Sequence, residues 1–65
     1  MAGKRGVIFE YVPNGPYIKV SAIDEETGTE VSIVGDARAT QSELQRIARM
    51  KLERRLDQLA GKSRA

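Results

Sequence analysis

The spacing of apolar side chains changes period once along the 65 residues, across Gly35-Asp36-Ala37-Arg38-Ala39. Before that break, Val7 to Val12 (VIFEYV), Tyr17 to Ile23 and Thr29 to Val34 are rich in β-branched and aromatic residues and are bounded by turn formers, a pattern that predicts three short strands. After it, Leu44, Ile47, Ala48, Leu52, Leu56 and Leu59 recur every three or four residues, which predicts one helix from Thr40 to Leu59.

Pro13-Asn14-Gly15-Pro16 separates the first two strands, and Asn-Gly is a strong hairpin signal. With Asn14 and Gly15 as the loop, Val12 faces Tyr17, Tyr11 faces Ile18, Glu10 faces Lys19, Phe9 faces Val20, Ile8 faces Ser21 and Val7 faces Ala22. Residues opposite one another share a face. One face therefore collects Val7, Phe9, Tyr11, Ile18, Val20 and Ala22, and the other carries Glu10 and Lys19. Asp24-Glu25-Glu26-Thr27-Gly28 is a second turn, with Asp24 able to cap its own backbone. Pairing Ala22 with Val31 and Val20 with Ile33 extends the apolar face and leaves Glu30, Ser32 and Val34 on the outer one.

Thr40-Gln41-Ser42-Glu43 has the spacing of a capping box, with Thr40 as N-cap and Ser42 as the alternative, and Gly61 suits a helix stop. At 100° per residue the six apolar positions span an arc of about 180°, so the stripe drifts along the helix. A helix of this length is about 30 Å long and a six-residue strand about 20 Å, so the last turns, with Leu56 and Leu59, are expected to overhang the sheet. Those leucines either fold back onto the sheet corner or meet a second copy, and the second alternative is favoured.

A chain of this size is one domain whose core contributes roughly 3–5 kcal/mol net, so it needs good packing or a partner subunit. Residues 1–6 are expected to form a loose leader, 7–60 the domain and 61–65 a frayed tail. With no cysteine and no histidine, disulfides are impossible and a zinc or iron site is not expected. No apolar run approaches the roughly 20 residues that cross a bilayer, and Met1 to Gly6 passes into a strand pattern without a signal-peptide core, so a cytoplasmic protein with no membrane contact is expected. The net charge of +2 is uneven: residues 1–39 carry four Lys/Arg against six Asp/Glu (−2), and residues 40–65 seven against three (+4).

Catalysis needs a side chain of tunable pKa or nucleophilicity, and without His or Cys no catalytic, cofactor or metal site is expected. The acids from Asp24 to Glu30 lie between strands and lack the alternate spacing and flanking helices of a calcium loop, so they read as a solvated turn. Gly61-Lys62-Ser63 ends like a phosphate-binding loop, but Leu56 stands where the first glycine would be. The basic helix is the more serious feature. Arg46, Arg49, Lys51, Arg54, Arg55, Lys62 and Arg64 could meet phosphates, with Arg49, Arg54 and Arg55 as the chief contacts. Against that, Glu43, Glu53 and Asp57 lie three or four residues from Arg46, Arg49 and Arg54, where they would neutralise them. Lys51 and Arg55 have no acid at that spacing and could lay their stems over the sheet edge. The outer sheet face, with Ile8, Val12, Tyr17, Ile23 and Val34 among polar neighbours, is either a surface with ordinary scattered apolar side chains or a partner interface.

Phe9-Glu10, Ile18-Lys19-Val20-Ser21-Ala22-Ile23-Asp24, Thr27-Gly28-Thr29-Glu30-Val31-Ser32 and the Lys51-Leu52 helix together resemble a family of very short bacterial proteins of unknown function, from Val7 to Leu59. That resemblance implies no activity, ligand or site residue. The order strand, strand, strand, helix, with Gly15-Pro16 in the first turn, is also similar to the C-terminal two-thirds of a double-stranded-RNA-binding domain, a resemblance that implies contacts to RNA phosphates. Its first helix is missing here, Thr40-Gln41-Ser42-Glu43 replaces the lysine cluster that opens its last helix, and Tyr17 follows Gly15-Pro16.

The expected fold is α+β, a three-stranded antiparallel β-meander with one C-terminal α-helix packed on one face (βββα). Its expected core is Val7, Phe9, Tyr11, Ile18, Val20, Ala22, Val31, Ile33, Leu44, Ile47, Ala48 and Leu52. The expected function is a small non-enzymatic interaction module that associates with itself, or with another protein, through Leu56, Leu59 and the outer face. The alternative is an RNA binder acting through the helix.

Overall fold

A computed structural model describes residues 6–61, so the expectations for residues 1–5 and for Lys62 to Ala65 lie outside the described residues. Strands β1 (Val7–Asn14), β2 (Tyr17–Asp24) and β3 (Glu30–Asp36) form one antiparallel sheet in the order β1-β2-β3, and helix α1 (Gln41–Leu59) follows. This is the expected βββα meander.

The first hairpin is shifted from the expected register. Asn14 pairs with Tyr17, so the loop is Gly15-Pro16, and Tyr11 pairs with Val20, Glu10 with Ser21 and Val12 with Lys19. The cause is the prolines. The closing pair of a two-residue hairpin exchanges two N–H···O bonds, and a loop at Asn14-Gly15 would ask Pro13 and Pro16, which have no N–H, to make them. Moving the loop on one residue puts Gly15, at φ +62°, at the first central position of the turn, where a type II′ turn needs glycine, with Pro16 second. Pro13 then falls in a non-hydrogen-bonded pair on an edge strand, where its missing N–H points away from β2. The shift moves each pairing by two residues, an even number, so both faces keep their expected members. The second hairpin has the expected register, with Ala22 opposite Val31 and Val20 opposite Ile33.

Thr40 caps α1, accepting a hydrogen bond at Oγ1 from Glu43 N–H at 3.2 Å, while the Glu43 carboxylate lies 3.6 Å from the Arg46 guanidinium. The helix packs on β2 and β3. Val20, Ala22, Leu44, Ala48 and Leu52 are buried, and Val7, Phe9, Tyr11, Ile18, Val31 and Ile33 pack half-buried against them. Gly35 lets the first turn of α1 come close to β3, because a Cβ there would lie 2.6 Å from Leu44 Cδ2.

Three details differ from the sequence-based expectation. Ile47 is 40% exposed and outside the core, because an arc of about 180° is wider than the floor that two strands offer. Leu56 packs against the core instead of overhanging, because α1 starts beside Gly35, opposite Ile18, and the run of about 18 Å from Leu44 to Leu56 fits the stretch of about 20 Å that β2 covers from Ile18 to Asp24. Asp24 is not part of a solvated turn: it is buried at the end of β2, and its Oδ2 accepts from Thr27 N–H at 3.0 Å and Thr27 Oγ1–H at 2.8 Å, the backbone cap its type predicts.

Candidate functional site

Two uncovered surfaces result from laying one helix on a three-stranded sheet. The first is the outer sheet face. Its cross-strand rows run Ile8–Ile23–Glu30, Glu10–Ser21–Ser32, Val12–Lys19–Val34 and Asn14–Tyr17–Asp36. Ile8, Val12, Tyr17 and Val34 are exposed, Val34 to 69%, while Ile23 is half-buried. Between these apolar rows Ser21 Oγ and Ser32 Oγ share a hydrogen bond of 3.0 Å, and Ser21 is buried beneath its longer neighbours. Glu10 and Lys19, expected to face each other, are diagonal neighbours instead, and no ion pair joins them among the described residues. At the hairpin end Tyr17 and Val34 border a shallow depression that also includes Arg38, which pairs with Asp36 at 3.5 Å.

The second surface is a groove of about 460 Å³ between α1 and β3. Val31 and Ile33 form its floor and Ile47 and Met50 its helical wall, while Lys51, Arg54, Arg55 and Gln58 make its rim. Among the described residues the rim contains no acid. Lys51 crosses the sheet edge and donates from Nζ to the Ser32 carbonyl at 2.7 Å, as its position on the helix suggests. Arg54 and Arg55 have no carboxylate within 4.0 Å among the described residues.

The expected charge pairing on the helix holds only for Arg46 with Glu43. Arg49 instead sits over the Phe9 ring, 5.5 Å from its centroid, and beside it Gln45 Nε2 donates to Tyr11 Oη at 2.6 Å. These two side chains cover the part of β1 that α1 does not reach. Consequently Arg49 lies about 140° around the helix from Arg54, and Arg49, Arg54 and Arg55 do not form one patch. Leu59 is 58% exposed at the C-terminal end of α1, where Gly61 (φ +75°) follows the Ala60 cap.

The apolar stripe on its own does not reveal Met50 or the exposed part of Ile47. Met50 stands about 60° outside that stripe, beyond Ile47, and only a wider arc of the helical wheel joins the two. Among the described residues, no three His, Cys, Asp or Glu side chains are grouped to hold a metal ion, and no helix is long and apolar enough to cross a membrane.

Residues 4–59 match the family model of a domain of unknown function, DUF6898. The chain belongs to that family. The match spans all three strands and the helix of the DUF6898 domain, so both surfaces fall inside it. No curated protein and no solved structure matches the chain.

Proposed function

We propose that this DUF6898 domain is a non-enzymatic interaction module that pairs with a second copy of itself through the outer face of its sheet. The observation that carries the reading is the exposure of Ile8, Val12, Tyr17 and Val34 on the sheet face opposite α1. Charge supports it as well. A twofold axis sets a surface against itself, so it must be self-complementary. The outer face holds both signs, Glu10 and Glu30 with Lys19, and a twofold axis that lies in the interface and crosses the Glu10–Lys19 diagonal midway at a right angle brings the carboxylate of each copy toward the ammonium of the other.

Area sets the strength of such a pair. Three strands about 4.8 Å apart and about 26 Å long present a plane on the order of 400 Å². A standard interface buries about 800 Å² per partner, so this pairing is weak and concentration-dependent. Sedimentation across the micromolar range tests it: the expected result is a reversible monomer–dimer equilibrium that Val12→Glu with Val34→Glu abolishes. A compact, stable monomer at every concentration contradicts it.

Nucleic-acid binding is the second reading, and the lack of carboxylate partners for Arg54 and Arg55 among the described residues favours it. The separate position of Arg49 weighs against it, since phosphates along a backbone need a continuous basic track. It predicts salt-dependent retention of RNA that weakens when Arg49, Arg54 and Arg55 become Ala.

A further inference from the structure

We infer that the α1–β3 groove is a docking site for an extended, acidic segment of another protein, which adds to β3 as a fourth strand. This goes beyond self-pairing through the outer face and does not depend on it.

The backbone supplies the first part. In an antiparallel sheet, hydrogen-bonded and non-hydrogen-bonded pairs alternate. The Asn14–Tyr17 closing pair fixes that alternation through β2, so Val31 and Ile33 bond to Ala22 and Val20, while Ser32 and Val34 turn their N–H and C=O groups out of the sheet. Two contacts agree with this assignment. Lys51 Nζ reaches the Ser32 carbonyl, and the Ser21 and Ser32 hydroxyls meet at 3.0 Å, as suits the closer side chains of a non-hydrogen-bonded pair. The free edge of β3 therefore offers a template for strand addition.

Side chains supply the second part. A strand laid along that edge points alternate residues toward α1, over Ile33, Ile47 and Met50 at one end and toward Arg54 and Arg55 at the other. An apolar residue followed by acids on that face matches the groove. A second copy of this chain does not match: a twofold axis normal to the sheet at the β3 edge, which pairs the two strands antiparallel, would bring Lys51, Arg54 and Arg55 of both copies together with no acid among the described residues of the groove to offset them. RNA matches less well, because no aromatic side chain lines the groove on which a base could stack. In the free protein, Lys51 caps the edge through the Ser32 carbonyl. An incoming strand takes that carbonyl with its own N–H and releases the ammonium to pair with its carboxylate.

The test uses the full chain and blocked heptapeptides with threonine at odd positions and valine, glutamate and glutamate at the even ones, in both orders. The backbone amides of Ser32 and Val34 and those of Ile47 to Arg55 are followed by NMR. Saturable shifts at these amides are expected with one of the orders, and Arg54→Glu with Arg55→Glu should weaken binding by at least about tenfold, equivalent to about 1.4 kcal/mol. Should that variant misfold, N-methylation of the peptide on one strand edge probes the same contact on unaltered protein, because it abolishes strand addition. Equal binding of a lysine-for-glutamate peptide, unchanged binding after N-methylation, shifts confined to the outer face, or displacement of the peptide by an RNA oligonucleotide at physiological salt would each overturn the inference. Sedimentation of the same samples reads the dimer separately, so the two proposals fail independently.

Discussion

The outer sheet face and the α1–β3 groove are both semi-apolar, yet they differ in charge, and that difference decides what each can meet. The outer face interleaves Glu10 and Glu30 with Lys19, so a copy turned through a twofold axis finds opposite charges. The groove has Lys51, Arg54 and Arg55 and, among the described residues, no acid, so it repels its own copy and selects an acidic partner. Apolar exposure alone would have assigned both surfaces the same role. The sign pattern around each separates them.

Both surfaces rest on one small platform, and the largest expected effect comes from removing it. Leu52 is 1% exposed between helix and sheet. Leu52→Ala should cost about 2–5 kcal/mol, comparable with the whole stability of a domain this size. Urea unfolding followed by circular dichroism should then show little folded protein, with both associations lost together. Gly35→Ala is narrower in effect: the new methyl meets Leu44, itself buried, and the overpacking should cost about 1–3 kcal/mol while displacing the start of α1 from β3. Peptide binding to the groove should weaken more than dimerisation, read by NMR titration and sedimentation. Thr40→Ala removes the N-cap and should cost about 1 kcal/mol in the same urea assay, leaving the outer face unaltered. The smallest stability change is expected for Lys51→Met, which gives up one hydrogen bond at an exposed edge where water replaces it, about 0.5 kcal/mol. Its more telling effect is on specificity. Without the cap on the Ser32 carbonyl and with one cation fewer, concentration-dependent association through β3 should appear in sedimentation when Lys51→Met is added to the otherwise monomeric Val12→Glu, Val34→Glu protein.

Most of the fold is legible because local signals agree with one another: alternating strands, two turns and a capped helix all point to a βββα meander. The hairpin register is not, since the Asn14-Gly15 signal competes with two prolines whose missing N–H groups outweigh it. The place of Leu56 is hidden because it depends on where α1 starts on the sheet: Leu44 sits beside Gly35 near the first hairpin, and Asp24, a turn former by type, extends β2 at the opposite end. The outer face can be assembled from alternation alone, as all five of its apolar members lie where period two puts them. The groove cannot, because its floor comes from β3 and its wall and rim from α1, and their juxtaposition depends on which strands the helix covers. The basic helix is similarly ambiguous: spacing offers an acid to Arg49, whereas packing gives it the uncovered Phe9 ring.

One crossed measurement tests the central claim, that charge pattern assigns the two surfaces to different partners. Sedimentation and peptide titration would be run in parallel on two double variants, Val12→Glu with Val34→Glu and Arg54→Glu with Arg55→Glu. The outer-face variant should be monomeric and still bind the acidic peptide, and the groove variant should dimerise and bind it at least about tenfold more weakly. If either variant loses both properties while remaining folded, one surface serves both purposes and the division drawn from charge is wrong.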